Sequence, residues 1–149
     1  MPHRLVRRAA LPAVIVGILV AVLTSCPANR DGMPGRLAGA LEETTSAARS
    51  GALAIDLWRR GRSTTQLTGV QLSDARDEVV KGYDGIAVLR AEDPHDLARQ
   101  TLLIRAMTDV IATLNDSTVA VRTSGGSGET ADLRAALLRA ADTLERDYR

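Results

Sequence analysis

The residues with chemistry to offer are few. Glu92-Asp93-Pro94-His95-Asp96 gathers three acids around one of the chain's two histidines, a composition that could hold a metal ion weakly. The same five residues also spell a helix start: a carboxylate to accept amide hydrogen bonds, Pro in the first turn, and negative charge at the positive end of the helix dipole. The glycines at 125, 126 and 128 lack the Lys-Ser or Lys-Thr that a phosphate-binding loop places after them, and read as a connector. Serines and threonines are plentiful, but His95 is the one histidine beyond His3, so a Ser-His-Asp triad has few ways to form. Asp109 and Asp116 share a helical face outside the apolar stripe and read as solvated. No Glu-x-x-His pair of the di-iron type is present. The chain is therefore expected to have no catalytic residue, no metal site and no cofactor, and to be no enzyme. That leaves a single thiol, Cys26, as the reactive group to be explained.

Bulk composition narrows the partners. The 149 residues suit one domain. A 45% hydrophobic and 25% charged composition belongs to a folded chain. One cysteine rules out a disulfide framework. Aromatics are 2% of the residues, too few for stacking platforms. The net charge is +1, and without Arg4, Arg7 and Arg8 it becomes −2. Such a domain carries no electrostatic footprint for nucleic acid.

Beyond residue 36 the apolar spacing is helical throughout. Leu37, Leu41, Thr44, Ala48, Gly51, Ile55 and Trp58 recur at alternating steps of four and three, the stripe of a helix buried along one face. A turn at Arg60-Gly61-Arg62-Ser63 separates it from a second stripe, Leu72, Ala75, Val79, Gly82, Ile86 and Leu89. Folded back about that turn, partners have residue numbers that sum to about 127, which sets Ile55 against Leu72, Ala48 against Val79 and Leu41 against Ile86. A third helix opens at Asp93-Pro94 and carries Leu97, Ile104, Met107, Ile111, Leu114 and Val121. A fourth follows Ser124–Gly128 and carries Leu133, Leu137, Ala140, Leu144 and Tyr148. The pairing of the last two sets Leu114 against Leu137 and Met107 against Leu144. No stretch alternates with the period of a half-buried strand. The sequence predicts an all-α, up-down-up-down four-helix bundle over 36–149, with Ile55, Leu72, Met107, Ile111 and Leu137 in its core.

The first 26 residues have a different design. Three arginines fall within residues 1–8, an uncharged apolar run covers 9–23, and Leu23-Thr24-Ser25-Cys26 follows directly. This is the layout of a secretory signal, and the run of about 15 residues falls short of the roughly 20 that cross a bilayer. Leu23-Thr24-Ser25-Cys26 resembles the lipobox of bacterial lipoproteins. The resemblance implies that Leu23, Thr24 and Ser25 are recognition positions, that the thiol of Cys26 receives diacylglycerol, and that cleavage makes Cys26 the first residue. Residues 1–25 are then a lipoprotein signal peptide. Residues 26–35, rich in Pro and Gly, are the lipidated cysteine and a flexible tether. Three other readings stay open: a free thiol after an ordinary export cleavage site, an uncleaved anchor helix, and a buried amino-terminal helix of a cytosolic protein.

The lipoprotein reading implies a cell-membrane location on the extracytoplasmic face, with the membrane as partner through the lipid anchor. For the bundle two functions are expected. One is an interaction module that docks another envelope protein. The alternative is a carrier or sensor that binds an acyl chain or other small apolar ligand between the helices. The second draws on the small residues Thr44, Ala48, Gly51, Ala75 and Gly82, which leave either a cavity or a close helix approach.

Overall fold

A computed structural model describes residues 32–123 and 126–149. The expected signal peptide, Leu23, Thr24, Ser25, Cys26 and the first part of the tether lie outside the described residues, as do Ser124 and Gly125. Four helices follow one another: α1 (Met33–Arg59), α2 (Thr65–Ala87), α3 (Pro94–Arg122) and α4 (Ser127–Asp147). No strand occurs among the described residues, and the helices form an all-α four-helix bundle.

Each boundary has a local cause. α1 opens three residues before the expected position 36, because Pro34 occupies the first turn, where its missing N–H leaves no bond unmade. It stops at a turn in which Gly61 takes φ 68°, a left-handed conformation that disfavours a side chain. The Thr64 hydroxyl then caps α2, accepting from the Leu67 N–H at 3.2 Å. Asp93 caps α3 as expected from sequence: its Oδ1 accepts from the N–H of His95 at 2.7 Å and of Asp96 at 3.4 Å. α4 starts at Ser127, so Gly128 lies inside the helix rather than in the connector.

Cross-helix contacts give the register. A side chain at Gly51 would meet Leu72, the Glu43 carboxylate lies beside Gly82, and the Trp58 indole N–H donates to the Thr65 hydroxyl at 3.2 Å. These pairs sum to 123–125, two to four below the expected 127, a shift of up to about one helical turn. α1 also packs along α4, α2 along α3, and α3 along α4, and α1 touches α3 across the bundle while α2 and α4 do not meet. α1 and α3 thus form the central diagonal, and each is packed against three neighbours.

That geometry accounts for the small stripe. Thr44, Ala48, Gly51, Ala75 and Gly82 are all buried. A Cβ built on Gly51 would lie 2.5 Å from Leu114 Cδ2, 3.4 Å from Leu137 Cδ1 and 3.6 Å from Leu72 Cδ2. Leucines from the other three helices fill the space that Gly51 vacates, so at this level the helices approach closely. Ile55, Leu72, Met107 and Leu137 are fully buried, as expected. Ile111 is only half-buried, and Leu97 is 53% exposed. In α3 the buried face instead runs through Gln100, Leu103, Met107, Val110, Leu114, Ser117 and Val121. The buried face is turned from the expected one, and two of its positions, Gln100 and Ser117, are polar.

Candidate functional site

The expected clusters resolve into local structure. Asp93 is engaged by the amides of the α3 start, and His95, whose own N–H donates to it, is exposed. Asp109 and Asp116 are exposed on α3. Among the described residues no three His, Cys, Asp or Glu side chains converge as a metal site would require. No helix among them is long and apolar enough to cross a membrane.

Two grooves run along the outer face of α1. One, of about 300 Å³, separates α1 from α2 and is lined by Ser50, Leu53, Ala54 and Leu57 at successive helical steps, with Asp74 and Glu78 on the opposite wall. The other, of about 440 Å³, lies on the α4 side, and Ser50 and Leu53 line both. Leu53 is therefore the ridge between them, and it is 58% exposed. Small Ser46 and Ser50 leave the face of α1 recessed beside that ridge. A third groove at the start of α2 includes Gly69, Val70 and Arg122, with Val70 and, one turn before Arg122, Val119 both exposed.

The charges are arranged unevenly around α1. The Arg49 guanidinium binds Glu145 through both terminal nitrogens, at 2.7 and 2.9 Å, and reaches Asp142 at 3.2 Å. The hydrogen bonds from Arg49 hold the Glu145 carboxyl below its usual range, and Glu145 in turn raises the guanidinium further. Asp56 ties Arg60 of the turn at 2.9 Å and Arg134 of α4 at 3.4 Å. By contrast, Asp74 and Glu78 pair with no cation among the described residues.

Two buried or half-buried features escaped the sequence reading. Gln100 is buried and its Nε2 donates to the carbonyl oxygens of Ile86 at 2.7 Å and Leu89 at 2.9 Å, closing the end of α2 from across the bundle. The Arg99 guanidinium lies 5.0 Å from the centre of the Tyr148 ring, and burial pushes the Tyr148 hydroxyl pKa up. Neither had a signal in the linear pattern, because both depend on which residues face one another across helices.

Comparison with protein families, with curated proteins and with solved structures finds no match to this chain.

Proposed function

We propose that the protein is a lipoprotein, anchored through Cys26 to the extracytoplasmic face of the cell membrane, whose helical bundle is a non-enzymatic docking module for another envelope protein. The observation that carries the tether is Leu23-Thr24-Ser25-Cys26 directly after an arginine-led apolar run. Two acyl chains on one thiol suffice for stable anchoring, where a single chain is marginal. The docking reading is supported by where the apolar side chains are. Leucines occupy the space beside Gly51, while Leu53, Val70 and Val119 stand more than half exposed. The filled interior speaks against the carrier alternative at that level.

Replacement of Cys26 by Ser tests the tether. The wild-type chain should incorporate a labelled fatty acid and fractionate with membranes, and Cys26→Ser should lose the label and leave the membrane fraction or accumulate as precursor. Unchanged labelling of the serine variant would refute the anchor. Co-purification in mild detergent, with mass spectrometry of bound proteins and lipids, tests the module: a stoichiometric protein is expected, and bound lipid alone would favour the carrier.

A further inference from the structure

Resting on the docking-module reading, we propose that the groove between α1 and α2 receives a cationic amphipathic helix of a partner protein. Its Lys or Arg side chains lie over Asp74 and Glu78, and an apolar side chain packs against Leu53 and Leu57.

Charge and shape both select this occupant. Asp74 and Glu78 stand four residues apart on α2, so they are neighbours on one face and repel each other. Among the described residues neither has a cation as partner, and Arg49, the guanidinium of the adjoining groove, is already held by Glu145 and Asp142. Asp74 and Glu78 are the only charged residues that line the groove between α1 and α2 among the described residues. A bound cationic segment would relieve the repulsion that the free domain sustains. The opposite wall offers the exposed Leu53 and the half-buried Leu57, one helical turn apart, to an apolar side chain of such a helix. Leu53, exposed and raised between two recesses, is the residue such a face would cover. The groove at Val70 has apolar exposure too, but its one charged lining residue is Arg122, and no carboxylate there would attract a cation.

The test uses the full chain in nanodiscs of zwitterionic phosphatidylcholine, with empty discs as blank. The probe is a fluorescein-labelled helical peptide of repeated Leu-Lys-Lys-Leu-Leu-Lys-Leu, read by anisotropy at low ionic strength. The counterpart with Glu for Lys serves as the second probe. The basic peptide should bind and the acidic one should not. Asp74→Asn with Glu78→Gln should weaken binding about five- to tenfold, the loss of two exposed charge pairs. Asp109→Asn with Asp116→Asn, on exposed positions of α3, should leave it unchanged. Absence of binding by the basic peptide, equal binding of the acidic peptide, or equal loss in the two double variants would each overturn the groove. The co-purification experiment, repeated with the Asp74→Asn/Glu78→Gln variant, separates this proposal from the reading on which it rests. A partner retained equally by variant and wild type leaves the docking module standing and overturns the groove.

Discussion

Gln100 does the work that a capping residue would normally do from within its own helix. α2 has no basic residue in its last turn, and the carbonyls of Ile86 and Leu89 are met by an amide that reaches over from α3. Gln100→Leu would keep the side chain's bulk and remove the amide donor, leaving the Ile86 carbonyl only its local backbone donors, the Leu89 N–H at 3.2 Å among them. It should cost about 1–3 kcal/mol in chemical denaturation, and an unchanged midpoint would refute the capping role. Glu145 is the second residue whose surroundings set its behaviour. Its carboxyl is held below the usual range when folded, chiefly by hydrogen bonds from Arg49. The stabilisation is therefore complete above the unfolded pKa of a glutamate and is lost as pH falls through the lower folded value. Stability measured downward from pH 6 should drop more steeply in the wild type than in Glu145→Gln. Parallel curves would show that the Arg49 pair contributes nothing.

At the scale of elements, helices, turns and register were legible because they depend on spacing and on a few strong local signals. Asp93-Pro94 marked the start of α3, Gly61 marked the first turn, and the small-and-large stripe of α1 set its buried face. The face of α3 was less legible. Leu102, Leu103 and Ile104 are consecutive apolar residues, as are Val110 and Ile111, so apolarity alone cannot choose between neighbouring faces. The choice is made by α1, α2 and α4 packing around α3, which buries polar Gln100 and Ser117 and leaves Leu97 outside. Val110→Ala should accordingly cost more stability than Ile111→Ala, although the latter removes more carbon, and the reverse order would contradict this orientation. Glycines within helices give a contrast of sign. Nothing lies within 4 Å of a Cβ on Gly85, so Gly85→Ala should stabilise the fold by about 0.5–1 kcal/mol. At Gly51 the same propensity gain is opposed by displacement of the buried Leu114 side chain. Overpacking costs about 1–3 kcal/mol, so Gly51→Ala should be neutral at best. A gain there equal to that of Gly85→Ala would mean that the space beside Gly51 is not filled.

For the whole molecule, the proposed anchor and the proposed docking surface differ in how far they can be read from the sequence. The proposed anchor motif is local in sequence, with Leu23-Thr24-Ser25-Cys26 contiguous and its arginines a short distance upstream. The candidate docking surface was not legible at all. Leu53 and Leu57 read as ordinary apolar residues of α1, and Asp74 and Glu78 as solvated charges of α2, until antiparallel packing set them on opposite walls of one groove. The central claim is that this bundle is held to a membrane by lipid on Cys26, and intact mass spectrometry of the protein extracted from membranes of its native host tests it most directly. The expected species begins at Cys26 and carries at least the mass of one thioether-linked diacylglycerol. A chain that retains residues 1–25, or one that begins elsewhere with an unmodified Cys26, would contradict it.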